Sequence, residues 1–258
     1  LAKAILLITI CGELAYFSSA TINERPVITG EELHKKIGYN DYTVDAIFYL
    51  NSIDKSFFRI YKYYASGTSI HYSLNDAMEQ DFKGVTSYHP LNQLYYVKFL
   101  GELGLINASN EILTRWIGAN IGILPQTILS VKYVLTKDEA IGLAGKGYRL
   151  INRFGDVNVF QNDLNLPFGF TYDAFIDFNT FKALPELQKY LALLKACVIK
   201  ETDEKELSSL SVLNTPDINE NLIFNDYTEY IRKLREETLL IDKYDQNTIK
   251  AGTKYRTS

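Results

Sequence analysis

The residues with most chemistry to offer lie between Arg59 and Asn92. Asp76, Glu79 and Gln80 follow one another at i, i+3 and i+4, so a helix over Ser73–Gln80 would bring them to one face. Two carboxyls at a defined separation can act as general acid and base, or carry glycosyl chemistry. A capped, solvated helix start, with Ser73 or Asn75 as cap, explains the same residues more simply. Arg59 stands in the aromatic run Phe57–Tyr64, FFRIYKYY. A guanidinium buried there needs a partner, because leaving it unpaired is costly. Asp76 is a possible partner. A structural ion pair outweighs the sharper alternative, contact of Arg59 with an anion or a sugar phosphate.

Other groups carry less. His34, His71 and His89 are the only histidines. His71 and His89 beside Asp76 or Asp81 could be drawn as a metal site, but the spacing follows no zinc pattern, and no metal or cofactor is expected. Gly142-Leu-Ala-Gly145-Lys146-Gly147 looks like a phosphate loop. It fails, since Ala140 and Gly147 occupy the places that require Gly and Ser or Thr. No serine or cysteine has a nucleophile signature. Asn107-Ala-Ser109 is a formal glycosylation sequon. Cys11 and Cys197 are too few for a disulfide framework.

The elements that must position these groups read as an irregular alternation of helices and strands. Thr29-Gly-Glu-Glu32 has capping-box spacing for a short helix ending at Gly38. A second helix runs from the Asn40–Thr43 caps to Asn51, with Val44, Ile47, Phe48 and Leu50 as its apolar stripe. Phe57–Tyr64 is a strand, on which Arg59 and Lys62 point to opposite faces. His89-Pro90 opens a helix to Leu103, stopped by Gly104. A further helix covers Glu111–Ile117 and carries Trp116. Val131–Leu135 is a strand, Lys137–Gly147 a loop, and Tyr148–Arg153 with Val157–Gln161 a hairpin through Phe154-Gly155-Asp156. Pro167–Phe178 is extended. Leu187–Ile199 and Asp226–Thr238 are amphipathic helices, and Lys200–Glu206 is a solvated charge run. The class is α+β: a mixed sheet of short strands packed with several helices.

At 258 residues the chain has room for one large domain or two modest ones. A net charge of −4 and a pI near 5.5 argue against a nucleic-acid partner. The 19 Tyr and 14 Phe could stack on sugar rings, although filling cores and strand surfaces is their commoner use. The apolar start Leu1–Phe17 has only Ala4–Gly12 between Lys3 and Glu13, short of the about twenty residues of a full bilayer span. The end of a truncated membrane helix, a signal-peptide remnant and a buried core helix all fit, and the first fits best. Ser18–Pro26 reads as its polar exit.

Several segments, in order, resemble the extracytoplasmic region of YfhO-family bacterial membrane proteins. They are Phe57-Phe58-Arg59-Ile60, Ser73–Ala77, Phe82-Lys-Gly84 with Ser87-Tyr88 and Asn92, Phe99–Gly104, Val131–Leu135, and Val159–Asn162 leading to Leu166-Pro-Phe-Gly-Phe170. The likeness covers about residues 1–180. It implies three regions: the end of a transmembrane helix (1–17), an extracytoplasmic α+β domain (18–180), and a helical extension (181–258) in which Asn247–Gly252 begins an incomplete β-rich segment. It also implies a polytopic, GT-C-like glycosyltransferase in the bacterial cytoplasmic membrane, moving sugar from a polyprenyl-phosphate donor to an envelope glycan acceptor. No catalytic residue carries over, since the acidic residue is expected in an early loop outside this stretch. The module would position acceptor. Arg59, Asn75, Asp76, Tyr88 and Asn92 are the expected ligand contacts. A non-catalytic glycan- or protein-binding surface domain is the rival reading.

Overall fold

The structure is a computed structural model, describing residues 2–23, 27–67, 74–138, 142–143, 146–200, 210–214, 224–236, 238–244 and 249–253. The first helix, α1 (Ala2–Asn23), is 22 residues long and buries none of its apolar surface. At 1.5 Å per residue it reaches about 33 Å, close to the hydrocarbon thickness of a bilayer. It runs past the exit expected at Ser18, because the polar residues there bond along their own helix. Thr21 Oγ1 donates to the Phe17 carbonyl (3.3 Å) and Asn23 to Ser19 (2.8 Å).

Helix α2 (Gly30–His34) carries the anticipated capping box, with Thr29 and Glu32 each accepting from the other's backbone N–H. Helix α3 (Tyr42–Ile53) is capped by Asp41 and buries Thr43, Ala46, Ile47 and Leu50. Val44 and Phe48 of the expected stripe face solvent. Next come β1 (Arg59–Lys62), α4 (Asp76–Glu79), β2 (Ser87–Tyr88) and α5 (Leu94–Glu102). Helix α5 starts later than His89-Pro90 would place it, capped by the Gln93 side chain on the Tyr96 N–H (2.5 Å). The expected helix at Glu111–Ile117 is instead a single 3₁₀ turn, Leu113–Arg115. Its last two residues form β3 (Trp116–Ile117), paired antiparallel with β2. A short helix α6 (Ile123–Ile128), with Pro125 in its first turn, precedes β4 (Val131–Thr136).

The hairpin forms as expected from β5 (Tyr148–Phe154) and β6 (Val157–Asn162). Together these make a mixed sheet in the order β1-β4-β6-β5, with β1 parallel to β4 and the other pairs antiparallel. Both faces are covered. Ala46, Ile47 and Leu50 pack with Ile60, Leu135 and Val159 on one face. Val97, Leu100 and Ile117 pack with Tyr61, Val134 and Phe160 on the other. The central strands β4 and β6 are accordingly buried almost continuously rather than in alternation.

A second, parallel sheet joins β7 (Ala174–Asp177) to β8 (Cys197–Ile199) and β9 (Ser211–Val212), under α7 (Phe178–Ala183) and α8 (Glu186–Lys195). Helix α8 is shorter than the pattern over Leu187–Ile199 anticipates, because Cys197–Ile199 pairs with β7. Helix α9 (Phe224–Glu236) seals Leu166 and Leu194 beneath Ile231 and Leu234. An antiparallel pair, β10 (Leu239–Tyr244) and β11 (Ile249–Thr253), follows. The charge run 200–206 lies almost wholly outside the described residues, as does His71.

Candidate functional site

Strand β1 and the β2–β3 pair enclose a cleft of about 510 Å³, lined by Tyr61, Tyr63, Tyr64, Trp116, Thr86 and Asn120, with Lys62 and Asp76 also on its surface. Its aromatic walls are held by polar contacts. The Tyr61 hydroxyl accepts from the Asn120 N–H (2.8 Å), and Tyr63 accepts from Gln126 (2.8 Å). The Tyr61 and Tyr63 rings meet edge to face at 4.7 Å. Burial pushes the Tyr61 phenol up to about 12, so it stays neutral and able to donate at neutral pH. Trp116 stacks at 4.4 Å on Tyr88, across the β2–β3 ladder. The turn after Trp116 is tight: Gly118 has φ +78°, and a Cβ there would lie 2.0 Å from the Val85 carbonyl oxygen. Asn120 has φ +54°, a left-handed backbone uncommon outside glycine and found often at binding sites.

Beside the cleft lies a buried polar network. The Lys62 ammonium pairs with Asp76, and donates to Ser66 Oγ (2.7 Å) and Gln80 Oε1 (2.9 Å). Ser66 in turn donates to Asp41 (2.8 Å), which also faces Lys137 at 3.2 Å. Burial lowers the Lys62 pKa, and the neighbouring Asp76 carboxylate partly restores it. For Asp41 burial acts to raise the carboxyl, but hydrogen bonds from Thr43 and Ser66 outweigh it and hold the group below its ordinary value. This arrangement overturns the Arg59–Asp76 pairing that the sequence left possible. Lys62 takes Asp76, and Arg59 instead donates to the Leu129 carbonyl (2.6 Å) and stacks on Phe57 and Phe168. The register shift in the β1–β4 pair leaves Lys132 as an extra residue on β4, between the partners of Arg59 and Ile60.

The remaining expected contacts work on the cleft's rim. Asn75 clamps Tyr88 by both backbone groups, donating to its carbonyl (3.0 Å) and accepting from its N–H (2.9 Å). Asn92 donates to the carbonyls of Thr114 (2.9 Å) and Arg115 (3.2 Å), fixing the turn that delivers Trp116. Asp76 lines the cleft directly, Asn75, Tyr88 and Asn92 shape the strand pair that carries Trp116, and Arg59 belongs to another surface. Glu79 is exposed and does not join Asp76 and Gln80 at Lys62. Among the described residues no cluster of His, Cys, Asp and Glu could hold a metal.

Sequence reasoning missed Lys62, Tyr61, Tyr63 and Asn120. The signal for Lys62 was present, because the argument that a cation in FFRIYKYY needs a partner applies to it as fully as to Arg59.

The family model described as bacterial membrane protein YfhO matches residues 2–253. No curated protein and no solved structure matches the chain.

Proposed function

Since the chain belongs to the YfhO family of bacterial membrane proteins, we propose that it is the extracytoplasmic module of a multi-spanning glycosyltransferase of GT-C type. In this reading the parent moves sugar from a polyprenyl-phosphate donor to an envelope glycopolymer. The module holds the acceptor and leaves the transfer to residues elsewhere. The membrane setting is supported by the family and by the apolar α1.

The observation that carries the acceptor role is the make-up of the Trp116 cleft. Glycan rings offer apolar C–H faces and hydroxyl edges, so a receptor wants aromatic walls interleaved with a few fixed polar groups. Trp116, Tyr61, Tyr63 and Tyr64 supply the walls, and Asn120 and Thr86 the polar groups. The carboxylate lining the cleft, Asp76, is bound to Lys62 and 3% exposed, which suits a structural part better than proton transfer.

The test is glycosylation of the acceptor polymer by the full-length protein. Trp116→Ala and Asn120→Ala should each cut polymer glycosylation about tenfold, the loss of one or two sugar contacts of about 1 kcal/mol. Alanine at Asn75, Asp76, Tyr88 and Asn92 should do the same wherever the fold survives, and Arg59→Ala, on another surface, should not. Unchanged glycosylation across the first six would sink the acceptor role. Retained binding of glycan to a parent with no transferase activity would favour the non-catalytic binder.

A further inference from the structure

Ahead of the start of β1 lies a second cleft, of about 690 Å³. Among the described residues four cations line it, Lys55 just after α3, Lys83 before β2, Lys132 on β4 and Arg235 at the end of α9, and no carboxylate does. Carboxylates stand close by: Asp54 accepts from Lys132 (2.5 Å), Asp81 shares a small neighbouring hollow with Lys83, and Asp163 acts on Arg235. Part of its wall is aromatic, with Phe57 and Phe168 at 4.3 Å and the Arg59 guanidinium 5.2 Å from the first ring and 5.7 Å from the second; Ser56, Asn165, Pro167, Thr238 and Leu239 complete it.

This gathering is not a by-product of local sequence. The lysines and arginine come from positions 55, 83, 132 and 235, so only the tertiary fold assembles them, in a chain whose net charge is −4. Like charges drawn into one concave surface repel, and the concave wall strengthens the field they share. The arginine is partly desolvated as well: burial lowers the Arg235 pKa, while its guanidinium donates to the Asn165 carbonyl (2.9 and 2.7 Å). An anion seated between the cations relieves both costs. Lysine heads on flexible stems suit a phosphate, with its several acceptor oxygens, and the phenyl rings suit the apolar face of whatever the phosphate is attached to.

We propose that this cleft binds a phosphate ester, with Lys55, Lys83 and Arg235 on the phosphate and Phe57 and Phe168 against the esterified alcohol. The ester is either a soluble one or the headgroup of an anionic lipid in the membrane that α1 enters, and the experiment separates the two sources.

The test uses the whole 258-residue chain. Amine-reactive labelling of Lys55 and Lys83, read by mass spectrometry, is followed in neutral detergent with glycerol phosphate or glycerol. A parallel arm uses lipid nanodiscs of phosphatidylglycerol or phosphatidylcholine. Protection by glycerol phosphate but not by glycerol assigns a soluble ester. Protection in phosphatidylglycerol discs alone assigns the headgroup. Lys83→Gln should weaken the effective ligand at least tenfold, read at Lys55, and Arg235→Gln should do so at both lysines. Raising salt from 50 to 300 mM should release the wild type. Equal labelling with and without every phosphate probe, or unaltered protection in both variants, overturns the proposal. Neither outcome touches the acceptor reading, which rests on the Trp116 cleft.

Discussion

Removing the Lys62 ammonium should be among the most damaging single changes to this fold. The two side chains of the Lys62–Asp76 pair are 5% and 3% exposed, so neither charge can turn to water when its partner goes. Breaking such a pair from one side costs about 3–5 kcal/mol. Lys62→Met should therefore lower the melting temperature by about 10 °C at this chain length. Asp76→Asn keeps an acceptor for Lys62, so a smaller cost of about 1–3 kcal/mol is expected. The double change Lys62→Met with Asp76→Asn removes both charges, leaving the smaller penalty of Ser66 and Gln80 without the ammonium, about 2 kcal/mol. The three measurements then give a coupling of about 2 kcal/mol or more between the two sites. Trp116 is the only tryptophan and lines the adjacent cleft, so its fluorescence during thermal unfolding in detergent reports the transition directly. Additivity of the two single changes within about 0.5 kcal/mol would refute the ion pair as an organising element.

Asp54 tests the acid side. Burial favours its neutral form, yet hydrogen bonds from Lys132 and Ser56 hold its carboxyl down at about 2, below the 3.8 of the unfolded chain. A depressed carboxylate adds stability above the unfolded value and loses it as pH falls, so wild type should weaken between about pH 4 and 2 while Asp54→Asn is flatter there. Parallel acid titrations would contradict the assignment. Gly118→Ala should destabilise by more than 1–3 kcal/mol, since it meets both a positive φ and the Val85 carbonyl, and should redshift Trp116 emission; a wild-type melt would count against the tight turn. Removing residues 1–26 should release the chain from membranes in carbonate extraction, because α1 holds the exposed apolar surface long enough to span. Persistence of the truncated chain in the membrane pellet would point to a second anchoring surface.

What could be read in advance was what neighbours in sequence decide. The Thr29–Glu32 capping box, the hairpin over Tyr148–Asn162 and the strand at Val131 each depend on a few adjacent residues, and each formed. The family, too, was legible from the order of short segments. Failures fall where distant groups decide. Pro90 is a sound helix opener, but Asn92 is drawn to the carbonyls of Thr114 and Arg115, and Leu91 N–H to His89 Nδ1 (3.0 Å), so α5 waits for Gln93. Trp116 reads as helical until β2 offers a strand to pair with. Arg59 and Lys62 present the same problem to a reader of FFRIYKYY, and only the placement of α4 against β1 decides which cation meets Asp76.

One short strand serves two surfaces. Arg59 at its start faces Phe57 and Phe168, while Tyr61 onward lines the Trp116 cleft. The parallel partner β4 runs between the same two sites. Lys132 stands in the basic cleft and Val134 packs with Tyr61 on the face nearer Trp116. A ligand that tightens the basic cleft acts on β4 through Lys132 and on β1 through Phe57, which lies two residues before the strand. Occupancy of the two clefts should therefore be linked, and by reciprocity each ligand should shift the other's affinity by the same factor. Trp116 fluorescence titrated with glycan, with and without glycerol phosphate, measures that factor. A value of one would show that β1 and β4 hold the two clefts too rigidly to couple them.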